Sequence, residues 1–63
     1  MRLIEILSLM HKDDIVTVIP QAPYNIYTEP PYSNALDVYR NSIVRRIRRD
    51  SLGISVWVEY IKE

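Results

Sequence analysis

Arginine is the residue type in this sequence whose number and spacing point most directly to chemistry. Guanidinium groups bind phosphates and carboxylates through paired, charge-assisted hydrogen bonds. A dense cluster of arginines therefore predicts either a nucleic-acid surface or contact with an acidic protein. Five arginines fall within ten residues: Arg40, Arg45, Arg46, Arg48 and Arg49.

The competing interpretation of this cluster is a solvated face that protects the chain from aggregation. Eight basic and eight acidic residues give a net charge of zero, which favours this interpretation. The acidic residues available for pairing are Asp37, Asp50, Glu59 and Glu63. The single tryptophan, Trp57, is the other feature that indicates recognition, because an exposed tryptophan often anchors a partner. The candidate binding surface consists of Arg45, Arg46, Arg48, Arg49 and Trp57.

Other site chemistry finds little support in the composition. There is no cysteine and only one glycine, which excludes thiol catalysis, disulfides and a glycine-rich phosphate loop. The only histidine, His11, lies near Asp13 and Asp14, but a metal site needs more ligands in a fixed geometry. We therefore predict no catalytic, cofactor or metal site, and no enzymatic activity.

The length of 63 residues predicts a single small α+β domain over residues 1–63. No apolar run approaches the roughly 20 residues that a membrane-spanning helix needs. The N-terminal segment lacks a small-residue cleavage site before Asp13 and Asp14, so it does not resemble a secretory signal. These features predict a soluble, cytoplasmic protein without a membrane partner.

The first half of the chain predicts a helix and a β-hairpin. A helix is expected over residues 2–11, because four apolar residues share one helical face: Leu3, Ile6, Leu7 and Met10. His11 and Lys12 are expected in its last turn. Two strands are expected at 15–19 and 24–28, joined by a proline-containing connection.

The last strand of the chain is predicted at 54–61, where apolar residues alternate. One side is expected to pack under the first helix, and it consists of Ile54, Val56, Val58 and Tyr60. The other side has Trp57 and Ile61. Trp57 is either packed by a second layer or exposed to a partner, and the second option gains weight because covering both faces of a sheet takes more residues than one helix provides.

The segment between these regions permits two interpretations. Its apolar spacing fits one long helix over about 34–51, with Gly53 just after its C-terminus. Alternatively, a short helix ends near Arg40 and Asn41, and residues 42–49 form an edge strand that turns into the last strand. Strict alternation in that strand would place Ile43, Arg45, Ile47 and Arg49 on one face. Val44, Arg46 and Arg48 would lie on the other.

The order of these features resembles small proteins encoded by phages, prophages and related mobile elements of Gram-positive bacteria. The matching segments are Leu3-Ile4-Glu5-Ile6-Leu7, Asp13-Asp14-Ile15-Val16-Thr17-Val18, Ala35-Leu36-Asp37-Val38-Tyr39, Val44-Arg45-Arg46-Ile47 and Ile54-Ser55-Val56-Trp57-Val58. The resemblance implies an N-terminal helix packed on a small antiparallel sheet of two hairpins, in the order α-β-β-short α-β-β. It implies no established activity and no functional residues. It favours the second interpretation of the middle segment over the alternative order α-β-β-long α-β.

The function expected from these observations is that of a non-enzymatic, phage- or prophage-derived protein in the cytoplasm of a bacterial host. It would be a protein-interaction or regulatory module that binds a protein partner or a second copy of itself. The alternative is a nucleic-acid-binding module that uses the arginine cluster 45–49. No small-molecule substrate is indicated.

Overall fold

The computed structural model describes residues 1–21, 25–51 and 53–59, and these form a small α+β domain. It has one short α-helix and a four-stranded mixed sheet, so the predicted α+β class is confirmed. In chain order the elements are α1 (Leu3–Leu7), β1 (Val16–Pro20), β2 (Tyr27–Glu29), a 3-10 helix (Asn34–Tyr39), β3 (Ile43–Asp50) and β4 (Gly53–Glu59).

The strand order across the sheet is β2-β1-β4-β3. The pairs β1–β2 and β3–β4 are antiparallel, whereas the central pair β1–β4 is parallel. The prediction of an antiparallel sheet is therefore wrong. Each hairpin contributes its more apolar strand to the centre, where burial is greatest, and these two strands run in the same direction.

The core lies between the inner face of the sheet and the two helical segments. The central strands contribute alternate valines to it, and α1 and the 3-10 helix cover them. Each fully buried aliphatic side chain stabilises the fold by roughly 1.5–3 kcal/mol. The buried apolar side chains are Leu3, Ile6, Leu7, Met10, Val16, Val18, Leu36, Tyr39, Val56 and Val58.

The first helix is shorter than the predicted 2–11, although the four residues predicted to share its apolar face are all buried. After Leu7 the chain continues in tighter turns, in which the amide of Met10 donates to the carbonyl of Leu7. His11 and Lys12 lie beyond the helix, so their predicted place in its last turn is wrong. The Asp14 carboxylate accepts a hydrogen bond of 2.8 Å from the His11 amide, which stabilises a turn there instead.

The segment between β2 and β3 fixes the position of α1. The amide of Leu3 donates to the carbonyl of Ser42, and the amide of Ile4 donates to the carbonyl of Arg40. These two bonds satisfy N–H groups that a helix N-terminus otherwise leaves without partners. The loop after the 3-10 helix therefore holds α1 against the inner face of the sheet.

The first hairpin differs from the prediction mainly in its second strand. β1 is Val16–Pro20 rather than 15–19, and Pro20 is its last residue. β2 is only Tyr27–Glu29, whereas the pattern predicted residues 24–28. Ile26, just before β2, is exposed, so it has no core contact that would extend the strand. Tyr24 lies outside the described residues.

The long helix over 34–51 is wrong. A 3-10 helix occupies Asn34–Tyr39, in the place of the predicted short α-helix, and β3 begins four residues later, at Ile43. The Ser33 hydroxyl caps the helix by accepting a hydrogen bond of 3.2 Å from the Ala35 amide. Strand structure wins over helical spacing because β3 pairs along its length with β4.

A β-bulge at Arg45 changes the faces of β3. Val44 pairs with Val58 and Arg46 pairs with Trp57, so Arg45 is an extra residue between them. The predicted alternation is therefore wrong beyond Val44, because one inserted residue moves every later side chain to the opposite face. Val44, Ile47 and Arg49 pair with inner-face residues of β4, whereas Ile43, Arg46 and Arg48 pair with outer-face residues.

Gly53 is required where β3 turns into β4. Its φ angle is 146°, a backbone conformation that other residues rarely adopt. A Cβ atom at this position would lie 2.1 Å from the carbonyl oxygen of Ile15. The Asp50 carboxylate completes the turn by accepting a hydrogen bond of 3.0 Å from the Gly53 amide.

Candidate binding surface

The outer face is the side of the sheet opposite α1. Neither α1 nor the 3-10 helix covers it, since their buried residues pack in the core on the inner side. The pairing register assigns nine residues to the outer face: Thr17, Ile19, Thr28, Ile43, Arg46, Arg48, Ser55, Trp57 and Glu59. Three of the five predicted surface residues, Arg46, Arg48 and Trp57, therefore belong to it directly.

Trp57 lies near the middle of the outer face and is half-buried. It pairs with Ile19 of β1 on one side and with Arg46 of β3 on the other. The Cζ atom of Arg46 lies 5.0 Å from the centre of the Trp57 ring, which is cation–π geometry. At an exposed site this contact stabilises by about 0.5–1 kcal/mol. The ring is thus positioned by neighbouring strands but is not enclosed.

Arg45 reaches the same surface from the bulge and forms an ion pair with Glu59. Its Nε donates to the Glu59 carboxylate at 2.7 Å, and its Nη2 donates to the same oxygen. Both side chains are substantially exposed, so the pair contributes about 0.2–1 kcal/mol. The charge of Arg45 is therefore partly neutralised.

Arg48 and Arg49 are adjacent in sequence but belong to opposite faces. Arg48 pairs with Ser55 on the outer face, and Arg49 pairs with Ile54 on the inner face. Both are exposed, and neither forms an ion pair with a described carboxylate. Arg46 is also exposed and forms no ion pair with a described carboxylate. The structure therefore does not bring the four predicted arginines together into one patch, because Arg49 is separated from the others.

Arg40, the fifth arginine of the sequence cluster, stabilises the 3-10 helix. Its guanidinium group donates to the Asp37 carboxylate at 2.7 Å and to the carbonyls of Ser33 and Pro31 at 3.0 and 3.3 Å. These contacts tie the end of the 3-10 helix to the loop before it. Two arginines of the cluster, Arg40 and Arg45, therefore form ion pairs with acidic residues. The other three, Arg46, Arg48 and Arg49, form none with a described carboxylate.

A groove of about 310 Å³ runs beside Trp57. It lies between the end of β1 and the bulge of β3, so the aromatic ring and two arginines border one open depression. Its lining residues are Ile19, Pro20, Gln21, Arg45, Arg46, Trp57 and Val58.

Hydroxyl groups fill the other end of the outer face. The Thr17 and Thr28 hydroxyls lie 3.3 Å apart, across neighbouring strands. The Ser55 hydroxyl donates to the Asp50 carboxylate at 3.1 Å. Sequence reasoning missed these residues and Ile19. The available signal was the alternation of β1, in which Thr17 and Ile19 oppose the buried Val16 and Val18.

Both edges of the sheet are protected against pairing with another strand. Residues 1 and 2 bridge the start of β3, where the Val44 amide donates to the Met1 carbonyl at 2.8 Å. The bulge at Arg45 distorts the next part of the edge, and arginines flank the rest. The opposite edge strand, β2, has three residues and is followed by Pro30. These features protect the edges of the described sheet and do not cover its outer face.

The region around His11 does not form a metal site. Its Nδ1 lies 3.6 Å from an Asp13 carboxylate oxygen and accepts a hydrogen bond from the Asp13 amide, and both side chains are exposed. Over residues 1–21, 25–51 and 53–59, no group of three metal-ligating side chains occurs. Within the same ranges, no helix has the length and apolar character required to cross a bilayer.

Comparisons with known proteins add no identification. No protein-family model matches the chain, and neither a curated protein nor a solved structure does. The resemblance to phage-encoded proteins stays a prediction.

Proposed function

We propose that this chain is a non-enzymatic binding module that holds an anionic macromolecule against the outer face of its sheet. The observation that supports this most directly is the half-buried Trp57 near the middle of a face that no described helix covers, with Arg46 against its ring and Arg48 further along β3. An aromatic anchor beside arginines is the composition that binding hot spots favour.

The charges of the outer face favour an anionic partner. Glu59 is engaged by Arg45, and Asp50 accepts hydrogen bonds from Gly53 and Ser55 in its own turn. Arg46 and Arg48 have no carboxylate partner among the described residues. Their guanidinium groups are thus available to phosphates or carboxylates of another molecule.

Self-association is less well supported than binding of a different molecule. A two-fold interface on the outer face would bring Arg46 and Arg48 of both copies into one contact, and like charges oppose that arrangement. The protected edges oppose strand-to-strand pairing. Sedimentation at increasing protein concentration is therefore expected to give a single monomeric species, and a concentration-dependent dimer would argue for a homotypic partner instead.

The proposed binding is tested by the fluorescence of Trp57, which is the only tryptophan. Single-stranded DNA, duplex DNA and polyglutamate are titrated separately at low salt, where electrostatic contacts are strongest. At least one polymer is expected to change the emission, and added salt is expected to reverse the change. No response to any of the three polymers would rule out the proposed function.

The resemblance to phage and prophage proteins supports a further part of the proposal, that the module acts in a bacterial host cell during a phage cycle. Flanking phage genes are the expected genomic neighbourhood. A neighbourhood of unrelated chromosomal genes would argue against this origin while leaving the binding proposal unaffected.

A further inference from the structure

We infer that the anionic partner is single-stranded nucleic acid, with one base stacked on Trp57 and neighbouring phosphates bound by Arg46 and Arg48. This inference rests on the proposed function and specifies its partner. Single-strand binding surfaces combine aromatic rings, on which unpaired bases stack, with basic side chains that contact the backbone. The outer face has both features on adjacent strands.

The position of Trp57 suits a stacked base. Ile19 is its register neighbour on β1, and the ring borders the open groove together with Arg45 and Arg46. Arg46 lies over the ring, 5.0 Å from its centre, so a base that stacks there displaces the guanidinium group. Arg46 would leave the ring and contact a phosphate when the base stacks.

The remainder of the outer face is polar, which also favours nucleic acid. Protein interfaces have apolar cores that are depleted in charged residues. Here the large apolar groups of the face are Ile19, Ile43 and Trp57, and the rest are hydroxyls and charged side chains. Guanidinium groups commonly contact phosphate oxygens, and Thr17 and Thr28 add hydroxyls on the same face, whereas the Ser55 hydroxyl donates to Asp50.

A single strand is favoured over a duplex for a geometric reason. Bases inside a duplex are stacked on one another and cannot reach the face of Trp57, whereas those of a single strand are free to do so. In the part of the chain that the structure describes, no helix projects from the outer face to enter a major groove. Duplex DNA is therefore expected to bind through charge alone and more weakly.

The test measures the anisotropy of a fluorescein-labelled oligothymidylate of ten nucleotides as protein is added. Trp57→Leu is expected to weaken binding by about 5- to 100-fold, since one base–aromatic stack is lost. Trp57→Phe keeps an aromatic ring and is expected to recover part of the affinity. Circular dichroism and thermal unfolding establish that each variant is folded, so that a loss of binding is assigned to the site.

Arg48→Gln and Arg49→Gln form a matched pair, because they remove the same charge from adjacent exposed positions on opposite faces. With two phosphate contacts, the logarithm of the binding constant should fall with the logarithm of salt concentration with a slope of about −1.4. Arg48→Gln is expected to reduce the slope to about −0.7, and Arg49→Gln is expected to leave it unchanged.

Unlabelled competitors separate this inference from the proposed function. Single-stranded DNA is expected to displace the labelled strand more effectively than polyglutamate or duplex DNA at equal charge. If polyglutamate perturbs Trp57 and the oligonucleotide does not bind, the partner is an acidic protein and the inference fails while the proposed function survives. Equal effects of Arg48→Gln and Arg49→Gln, or an unchanged affinity of Trp57→Leu, would also overturn it.

Discussion

The two faces of the central strands β1 and β4 consist of alternate residues of the same strands, yet they differ in composition. The inner face presents Val16, Val18, Val56 and Val58, each at most 2% exposed. The outer face presents hydroxyls, arginines and Trp57. The helical segments cover one face, so most residues on the other must be compatible with water.

The alternation of side chains along β1 and β4 provides both the buried core and the candidate site. Strand side chains alternate between faces, so each apolar position on β1 or β4 is followed by a position that packing does not constrain. Thr17, Ile19 and Trp57 occupy such positions. The stability of the inner face should therefore be separable from the recognition properties of the outer face, and the following changes test that separation.

The largest effect on stability is expected at Gly53. It permits the close approach of β4 to β1, and both faces of the sheet depend on that approach. Gly53→Ala combines an unfavourable φ angle with an overlap on the Ile15 carbonyl oxygen. We expect a loss of about 3 kcal/mol or more in the free energy of unfolding. Urea denaturation followed by circular dichroism measures it, and a loss below about 1 kcal/mol would show that the turn readily rearranges.

The next largest effect is expected on the inner face. Leu36 of the 3-10 helix is fully buried, and Leu36→Ala should cost about 2–5 kcal/mol because it leaves a cavity. Val38, two residues further along, is 63% exposed, so Val38→Ala is the matched control and should stay within about 0.5 kcal/mol. Chemical denaturation of both variants decides the point. Equal losses would contradict the packing of the 3-10 helix against the core.

The smallest effect is expected for the exposed ion pair of the outer face. A double-mutant cycle of Arg45→Gln and Glu59→Gln should give a coupling free energy of about 0.2–1 kcal/mol, and added salt should reduce it. A coupling free energy well above 1 kcal/mol would mean that the outer face contributes to stability in the way the inner face does. The separation of the two faces would then be incorrect.

The sequence predicts the local elements of this fold better than their arrangement. Apolar spacing identifies the buried side of α1 and the inner side of β4 at Ile54, Val56 and Val58, because burial imposes those periods directly, whereas the predicted Tyr60 and Ile61 lie outside the described residues. The parallel pairing of β1 with β4 depends on which strands meet across about 38 residues, and no local pattern encodes that choice.

Helical spacing over residues 34–51 shows a second limit of local pattern. Ala35, Leu36, Tyr39, Ile43 and Ile47 fit a helix, yet the chain forms a strand from Ile43 onward. The hydrogen bonds of β3 to β4 decide this outcome, and they are long-range relative to a helical turn. The turn at residues 50–53 permits the strand as an alternative to the helix, and the family-level resemblance favours it.

The residue types of the candidate site could be predicted from the sequence, but their arrangement on the two faces could not. Trp57 and the arginines are visible in the sequence, but the bulge at Arg45 determines which arginines share the face of Trp57. Strict alternation placed Arg45 and Arg49 together and separated them from Arg46 and Arg48. In the structure Arg46 and Arg48 stay together and apart from Arg49, but the bulge moves them from the face of Val44 to that of Ile43 and Trp57.

The most direct test of the account is to map where single-stranded DNA contacts the protein. Amide chemical shifts of the ¹⁵N-labelled chain are compared before and after adding an oligothymidylate. We expect the chemical-shift changes to be concentrated on the outer face, around Ile19, Arg46, Arg48 and the Trp57 indole. The amide shifts of α1 and the 3-10 helix should stay unchanged. Changes confined to the helical side, or an absence of changes at low salt, would contradict it.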